Sequence, residues 1–453
     1  MITTFLILYL IFLNFSNTNS DTIINIERFG AFGNDINDDT NQFDAAVEYI
    51  SRNGGILYVP KGEYILDNNN RNRSGLYGHS YIFVISNNIE IILDKEAVLR
   101  YKNGFKGYRF RSVTDPTEKT VNRYSVKISG GIINGLHNFN KKVSNNPEMW
   151  GFVGETLNNF TVTDLRIENF YGTAGLASYS NNFTEINDIR MYNVTGNPFN
   201  LTDNHGDGIY IANTKNYMIN NNVIINNIEE RRIGRIGICI EYEISEDGRI
   251  FSNEICGYDR GIHIELTKGT SNIINNNLHG NSSGIVLWNN HGYGQIIDNN
   301  NITNEGLPKN NISLLYTSAP ILLLEYNSNN GTIIKNNRIE IREDFFIPNN
   351  LTQITSSNLL IAKNIFADKS NTLSLSVAQG RSNEKRVRNI IFKENDVSCN
   401  ALYVYDGTNI GVDDNILNVD IITLSFDDSN NSFKRNRINK KSTILKLFGK
   451  NLL

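Results

Sequence analysis

The chain has 453 residues, 40% of them hydrophobic, and a formal net charge of −4 at pH 7. This length allows one large domain or two or three smaller ones, and the apolar content is sufficient for a core. The slightly acidic balance argues against a general nucleic-acid-binding protein, which would carry a strongly basic surface. The three cysteines, Cys239, Cys256 and Cys399, are too few and too scattered for a disulfide scaffold or a zinc site. One bridge and a free thiol stay open, and three buried thiols are the favoured interpretation.

The N-terminus carries an apolar run, Phe5–Leu13, followed by small polar residues near Ser20. A run this short does not span a bilayer, but it suits the hydrophobic part of a signal peptide. No Lys or Arg precedes it, and a membrane anchor is the alternative. No later segment is long and apolar enough to span a membrane. We therefore predict a signal peptide over residues 1–20 and a secreted, extracellular mature protein.

An amphipathic helix is predicted over Asn41–Arg52. Its apolar side chains recur at helical spacing, Asp39 or Thr40 can begin it, and Gly54 with Gly55 can end it. The buried face should comprise Phe43, Ala46, Val47 and Ile50. Such a helix fits as a cap over the open end of a larger structure.

The rest of the chain repeats. Gly-aliphatic segments begin at Gly208, Gly237, Gly261 and Gly284, after intervals of 29, 24 and 23 residues, and each is followed by a short strand rich in Asn and Ile. Short alternating strands at this period predict a solenoid whose stacked coils share one core. The leucine-rich repeat, the rival solenoid, lacks its pattern here. Asparagine suits the corners because it tolerates left-handed backbone and forms local hydrogen bonds.

Two N-terminal segments carry a family resemblance. Residues 26–40 read IERFGAFGNDINDDT and residues 54–64 read GGILYVPKGEY. They resemble the N-terminal module of the pectate-lyase superfamily, in which F-G-A-x-G-D-G-x-x-D-D-T precedes a helix and G-G-x-V-x-x-P-x-G-x-Y. Here Asn34 replaces the expected Asp, and Asp35 replaces the expected Gly. The resemblance implies an all-β, right-handed parallel β-helix, with an N-terminal module over 21–64, coils over 65–430 and a C-terminal cap over 431–453.

The repeat also predicts which side chains share one outer face. In a Gly-Ile-x-Ile-x strand the aliphatic residues point into the core and the x residues point outward, and successive coils stack about 4.8 Å apart. The outward pairs, in chain order, are Tyr210 and Ala212, Cys239 and Glu241, His263 and Glu265, Val286 and Trp288, then Leu323 and Glu325. Asp207, Arg235 and Arg260 precede these strands, with His205 nearby, and the segment 229–237 (EERRIGRIG) could wall this face.

This set of side chains suits polysaccharide chemistry. Asp207, Glu241 and Glu265 could supply the general acid and base of glycoside hydrolysis, with His263 beside them. Trp288 or Tyr210 could stack on a sugar ring, while Arg235 and Arg260 could bind an acidic sugar such as a uronate, with His205 as a further binding residue. We predict a glycoside hydrolase acting on an acidic polysaccharide.

A second resemblance concerns Asp207. The segment 204–209 (NHGDGI) resembles the Asn-Thr-Asp-Gly-Ile segment of polygalacturonases, whose Asp is catalytic, and this implies a catalytic Asp207. The Asp-Asp pair on the next coil, the Gly-His-Gly motif and the Arg-Ile-Lys motif of that family are missing from this sequence. The chain thus departs from a standard polygalacturonase, and Glu241 or Glu265 would be the second carboxylate.

Two other functions stay open. In a lyase or C5-epimerase, His263, Tyr210 or an Arg would act as the base that removes the proton beside a uronate carboxylate. The charge of that carboxylate would be neutralised either by Arg235 and Arg260 or by a Ca²⁺ ion, which Asp207, Glu241 and Glu265 would hold. A non-catalytic binding or structural shaft is the third reading. The clustered charged and aromatic side chains favour an enzyme.

Overall fold

The computed structural model describes residues 22–34, 36–67, 81–102, 105–112, 122–136, 149–196, 206–226, 234–242, 247–288, 294–307, 309, 318–324, 331–345, 347–378, 387–426, 430–440 and 443–448. The predicted signal peptide, His205, Glu325 and most of the segment 229–237 lie outside these ranges. The domain boundaries stay predictions.

The chain forms a right-handed parallel β-helix, as predicted. Between the first strand, which pairs with the second, and the long C-terminal strands, each strand pairs in parallel with the strand three positions further along the chain. Three strands thus make one coil, and three sheets run along the solenoid. The outer face of the first sheet carries the predicted site. Its strands are Tyr81–Ile85, Tyr108–Ser112, Trp150–Glu155, Ala174–Tyr179, Asp207–Ala212, Gly234–Glu241, Tyr258–Glu265, Ser283–Trp288, Ile321–Leu324, Thr352–Ile354 and Ser374–Ala378.

The other two sheets complete each coil. The second comprises Ile23–Asn25, Gly55–Val59, Ile89–Leu93, Val126–Ser129, Asn159–Thr163, Phe183–Asn187, Asn216–Asn220, Asp247–Phe251, Thr270–Ile274, Ile296–Asp298, Ile333–Lys335, Leu359–Ala362, Val387–Lys393 and Ser432–Lys434. The third comprises Gly62–Asp67, Ala97–Lys102, Ile132–Asn134, Arg166–Tyr171, Arg190–Thr195, Val223–Ile225, Glu254–Cys256, Asn277–His279, Asn301–Thr303, Arg338–Ile341, Ile365–Asp368 and Arg437–Ile438. Near the C-terminus, the long strands Asp396–Asp413 and Ile416–Phe426 pass from one sheet to the next, and Ile444–Phe448 pairs with the latter.

The core consists of aliphatic ladders that run along the solenoid axis. In the first sheet Ile209, Ile238, Ile262, Ile285 and Ile321 are in register on successive coils, and each is fully buried. A parallel strand buries little apolar area alone, but each coil covers the edge of the previous one. The repeated aliphatic positions of the sequence therefore form one continuous core.

The predicted helix caps this core. It spans Thr40–Asn53, with Asp39 at its N-cap and Gly54 at its C-cap. The hydroxyl and the backbone N–H of Thr40 both donate to Asp38, so Asp38 supplies the side-chain bonds at this end. The face predicted to be buried, Phe43, Ala46, Val47 and Ile50, is buried in the main core cluster.

The recurring glycines are required by close packing between coils. A methyl group on Gly208, Gly237 or Gly261 would lie 2.6, 2.7 and 2.8 Å from the carbonyl oxygen of the glycine on the following coil. These distances are too short for a carbon, and the carbonyl oxygens belong to backbone that cannot turn aside. The ladder therefore reflects a lack of space between successive strands of the first sheet, in which these glycines lie.

Gly237→Ala should destabilise the protein by about 1–3 kcal/mol, the usual cost of overpacking. Its methyl group would also lie 2.4 Å from Cγ2 of Ile255. The measurement is the thermal unfolding midpoint, with Gly411→Ala as the matched control. There the nearest atoms are side-chain oxygens of Ser432 and Asp413 at 3.4 and 3.5 Å. Equal midpoints for the two variants would contradict the packing explanation.

Asparagine has two separate positions in the corners. Asn221, Asn275, Asn299 and Asn336 adopt left-handed backbone, with φ of 57°, 58°, 53° and 56°, as predicted for these corners. The next residue in each case is a buried Asn whose side chain bonds to the neighbouring coils. These residues belong to one ladder, buried except for its half-buried last member: Asn222, Asn253, Asn276, Asn300, Asn337, Asn364, Asn395, Asn415 and Asn436.

Two further sequence predictions concern thiols and membrane spans. Cys239, Cys256 and Cys399 are free and buried, which confirms the interpretation as three buried thiols. Within the described ranges, no helix has the length and apolar character needed to cross a membrane.

Candidate functional site

The outer face of the first sheet aligns the predicted residues in two columns. Tyr210, Cys239, His263 and Val286 are in register on successive coils, and so are Ala212, Glu241, Glu265 and Trp288. The predicted register is therefore confirmed across these four coils. Neighbouring positions in such a column are about 4.8 Å apart, close enough for side chains on adjacent coils to bond.

The register prediction is wrong at the following coil. Leu322 and Leu324 lie opposite Val286 and Trp288, whereas Leu323 faces the core. The strand Ile321–Leu324 consists of four apolar residues that are all buried, so its sequence does not reveal which side faces inward. Together with Val286 and Ala319, Leu322 and Leu324 form a small apolar cluster against which Trp288 packs.

Glu241 is held by two neighbours on the same face. The Tyr210 hydroxyl donates to Oε2 of Glu241 at 2.8 Å, and the Cys239 thiol donates to Oε1 at 3.2 Å. Burial raises the pKa of Glu241, although both hydrogen bonds and nearby Arg235 act in the opposite direction. Burial and the adjacent Glu241 charge also raise the pKa of Tyr210 and of Cys239. Glu241 is thus an oriented carboxyl that holds its proton more tightly than usual.

Glu265 has the opposite environment. His263 Nε2 lies 2.9 Å from Oε2 of Glu265, whose side chain is 28% exposed. Partial burial acts to raise the pKa of Glu265, but the contact with His263 and the nearby arginines outweigh it and lower that pKa. Glu265 is therefore an ionised, partly exposed carboxylate directly beside Glu241.

His263 is fully buried beside Glu265. Burial lowers its pKa to about 4, so the imidazole is neutral near neutral pH and Nε2–H donates to Glu265. Its ring contacts the Trp288 ring edge-on, with 6.3 Å between the centroids. This geometry makes His263 a support for Glu265 and places it out of reach of a large substrate.

The two predicted arginines face carboxylates of their own chain. Arg235 forms a bidentate pair with Asp207, with Nε to Oδ1 at 2.9 Å and Nη2 to Oδ2 at 2.5 Å, and Asp207 is 1% exposed. Although burial acts to lower the pKa of Arg235, the Asp207 carboxylate outweighs it and raises that pKa. Arg260 Nε lies 3.5 Å from Oδ2 of buried Asp259. Arg235 is therefore engaged within the protein, whereas Arg260 makes a longer ion pair, and its Nε atom has no hydrogen-bond partner among the described residues.

A metal ion could bind in the centre of this face. One donor atom each from Glu241, His263 and Glu265 lie within 4.8 Å of one another. The calcium prediction named Asp207 in place of His263, but the Asp207 carboxylate is paired with Arg235. Two carboxylates with an imidazole nitrogen resemble the ligands of Zn²⁺ more than the all-oxygen shell that Ca²⁺ prefers.

Sequence reasoning missed a cluster further toward the N-terminus on the same face. It contains Arg109 and Arg111 from one strand, Trp150 and Glu155 from the next, and Tyr179 from the third. The Tyr179 and Tyr210 rings are in contact, with 5.5 Å between the centroids, so the cluster adjoins the carboxylate pair. The alternation in Tyr108–Ser112 (YRFRS) was the available signal, but segments of unequal length separate these strands and conceal their alignment.

The sequence matches no protein-family model and no curated protein sequence. Its fold is similar to that of the tailspike protein of E. coli bacteriophage HK620. A glutamate-to-glutamine mutant of that protein, in complex with pentasaccharide, has a TM-score of 0.64 at 12% identity, over 94% of this chain and 78% of the tailspike chain. The tailspike protein without a stated mutation, also with pentasaccharide, has a TM-score of 0.60 at 12% identity, over 94% and 80% of the two chains. At such identity the likeness concerns the fold alone.

Proposed function

We propose that this protein is a polysaccharide-active glycoside hydrolase in which Glu241 is the general acid and Glu265 the nucleophile. One observation carries the proposal: two partly exposed carboxyl groups lie side by side on adjacent coils, each held by different neighbours. Glu241 bonds to Tyr210 and Cys239, whereas Glu265 bonds to His263. Environments that shift two carboxyl pKa values in opposite directions are the usual basis for assigning acid and nucleophile.

The separation favours a double displacement. One oxygen of each carboxyl group lies within 4.8 Å of the other, which is short of the roughly 6.5–9.5 Å that inverting enzymes leave for a water, so the pair fits the retaining arrangement better. Glu241 would protonate the glycosidic oxygen while Glu265 attacks the anomeric carbon, which releases the leaving sugar and forms a glycosyl ester. Water would then attack that carbon while Glu241 accepts its proton. One glycosidic bond and one water are consumed, with retention at the anomeric centre.

The elimination and epimerisation alternatives have less support. Both need a base that reaches the proton beside a uronate carboxylate, and a charge that neutralises that carboxylate. His263 is fully buried, and Arg235 and Arg260 already face Asp207 and Asp259. We assign to Asp207 the structural role of holding Arg235 in place, instead of the catalytic role that the polygalacturonase resemblance implied.

Further support comes from the fold. The tailspike protein with a similar fold is known with pentasaccharide bound, and we transfer to this chain only the class of ligand, a polysaccharide. We also propose membership of the pectate-lyase superfamily, based on the segments 26–40 and 54–64, and export directed by residues 1–20. Sequencing the N-terminus of the exported protein tests the last point, since cleavage should leave Asp21 first.

The test of function incubates the mature chain with acidic and neutral polysaccharides, with and without a chelator. Reducing ends and the ultraviolet absorbance of unsaturated uronates are followed in the same samples. Reducing ends without absorbance are expected for hydrolysis. Absorbance would instead establish a lyase, and chelator sensitivity would then indicate a metal held by the carboxylates. A folded protein that is silent in both assays would refute hydrolysis and favour an epimerase or a binding shaft.

The pH profile should follow the two carboxyl groups. Activity needs Glu241 protonated and Glu265 ionised, so the acid limb should lie below the ordinary carboxyl value of 4.5 and the basic limb above it. Tyr210→Phe removes a hydrogen bond that lowers the pKa of Glu241, so it should move the basic limb to higher pH. The measurement is kcat/KM against pH, with Tyr179→Phe as the control that keeps the Glu241 bond. A basic limb that stays in place in Tyr210→Phe would contradict the assignment of Glu241.

A further inference from the structure

We infer that Arg109 and Arg111 form a separate subsite that binds the carboxylate of an acidic sugar residue, several sugar units away from the bond being cleaved. The subsite rests on the proposed function, because that function places a polysaccharide along this face. The subsite adds the chemical class of the polysaccharide, one with acidic sugar residues. Neither arginine was among the residues that the sequence placed on this face.

The position of the two arginines follows from the register. Arg111 lies opposite Glu155, Glu155 opposite Tyr179, Tyr179 opposite Ala212, and Ala212 opposite Glu241. Arg111 is therefore in the same column as Glu241, four coils away. At about 4.8 Å per coil this is roughly 19 Å along the outer face. A polysaccharide lying parallel to the solenoid axis would span both places.

The charge of the cluster is unbalanced. Arg111 Nη2 lies 2.7 Å from Oε1 of Glu155, and Arg109 Nη1 lies 3.5 Å from its Oε2. Two guanidinium groups thus share one carboxylate. The Nε atoms of Arg109 and Arg111 have no hydrogen-bond partner in the part of the chain that the structure describes. These Nε atoms are buried, so what remains for a ligand is one positive charge, presented by the exposed part of the two side chains.

Aromatic rings hold the cluster in position. The Arg109 guanidinium lies 5.8 Å from the centroid of the Trp150 ring and 5.4 Å from that of Tyr179. The Trp150 and Tyr179 rings are themselves in edge contact at 6.1 Å. A guanidinium fixed between rings loses little entropy when it binds. The side chains of Arg109 and Arg111 are 16% and 30% exposed, so both are accessible from solvent.

The donor geometry selects the ligand. A guanidinium presents a planar fork that matches a carboxylate through two parallel hydrogen bonds. Beside the fork, Tyr179 contacts Tyr210, whose hydroxyl bonds to Glu241, so rings connect the cluster to the carboxylate pair. A sugar residue carrying a carboxylate fits this combination. Arg109 and Arg111 thereby take the role that the sequence had indicated for Arg235 and Arg260.

The test measures binding without turnover, so that it does not depend on catalysis. Glu265→Gln protein is titrated calorimetrically with oligosaccharides of galacturonate, mannuronate, guluronate and glucuronate, each compared with its carboxyl-reduced counterpart. At least one acidic oligosaccharide should bind, and its reduced counterpart should bind about tenfold more weakly or worse, the cost of one charge-assisted hydrogen bond. Adding Arg111→Gln should lower the affinity for the acidic oligosaccharide by a similar factor and leave the affinity for its carboxyl-reduced counterpart unchanged.

The control is Arg100→Gln in the same background. Arg100 also pairs with a glutamate, Glu63, at 2.9 Å, but it lies on the third sheet, and binding should not change. If Arg111→Gln unfolds, Arg111→Lys keeps the charge without the fork and should give the same loss. The inference is overturned if no acidic oligosaccharide binds, if the reduced forms bind equally well, or if the Arg111 variants bind normally. A protein that binds acidic oligosaccharides but cleaves none would refute the hydrolase and leave the subsite intact.

Discussion

Glu241→Gln is expected to lower kcat by about 10²- to 10⁴-fold, the usual contribution of a general acid. The amide keeps the size of the side chain and can still accept from Tyr210, but it carries no proton that it can give to the glycosidic oxygen. Because Glu241 is partly buried and its pKa is raised, this proton is present under the conditions in which Glu265 is ionised. The measurement is the initial rate of reducing-end release from the polysaccharide that the wild type cleaves.

A matched control shows whether the loss of activity comes from the missing Glu241 proton or from replacing any partly buried glutamate by glutamine. Burial also raises the pKa of Glu185, but that residue belongs to the strand Phe183–Asn187 of the second sheet. Glu185→Gln should therefore retain the wild-type rate. A Glu241→Gln enzyme with more than a tenth of the wild-type rate would exclude Glu241 as the acid.

The two roles can be told apart with azide and an aryl glycoside of the released sugar. In Glu265→Ala, azide should take the place of the missing nucleophile and form a glycosyl azide of inverted configuration. In Glu241→Ala, an activated leaving group needs no acid, and azide should attack the glycosyl ester to give the retained configuration. The opposite pattern would exchange the two assignments.

Asn276→Ala is expected to destabilise the protein by on the order of 4 kcal/mol. The Asn276 side chain donates to Ile250 O and Asn300 Oδ1, and its Oδ1 accepts from the backbone N–H and the side chain of Asn253. Truncation removes all four bonds. These bonds lie between coils and contribute about 1 kcal/mol each, and the buried Asn253 N–H loses its acceptor, whereas Asn300 Oδ1 keeps the Asn276 N–H and Asn253 Nδ2 keeps Ile219 O.

The neighbouring residue provides the control. The Asn277 side chain is exposed and accepts one bond from Asn301, so Asn277→Ala should change the stability by no more than about 0.5 kcal/mol. Stacked coils need not unfold in one step, so the thermal midpoint is combined with amide exchange at Asn253 and Ile250. If the Asn253 amide exchanges as slowly in the Asn276→Ala variant as in the wild type, the asparagine ladder contributes little to the stability of the protein.

Several features could be predicted because they repeat. The column of Ile209, Ile238, Ile262 and Ile285 is visible as a period in the sequence, and the same period placed Glu241 beside Glu265. Where a coil lost its alternation, as in Ile321–Leu324, the predicted register shifted by one residue. The capping helix was predicted within one residue at each end, since glycine ends it and its apolar face is regular.

The pairing of charges could not be predicted in the same way. Asp207 and Arg235 are 28 residues apart in the sequence, and their bidentate contact depends on how the corner before each strand turns. A sequence motif reveals a residue type and a turn, but it contains no information on which side chain will face that residue. Asp207 therefore resembled a catalytic residue, although it is paired with Arg235. The partners of Glu241 and Glu265 likewise follow from side-chain conformations.

The sequence by itself determined the solenoid, its core, its cap and the alignment of the four coils from Gly208 to Trp288, because a periodic apolar pattern has one way to bury itself. Only the tertiary structure decided why glycine recurs, since the carbonyl oxygen that excludes a side chain belongs to the next coil. It also decided that buried asparagines bond from coil to coil and that Arg109 and Arg111 share the face of Glu241. Contacts of this kind depend on the lengths of the turns that separate the strands, and those lengths follow no period.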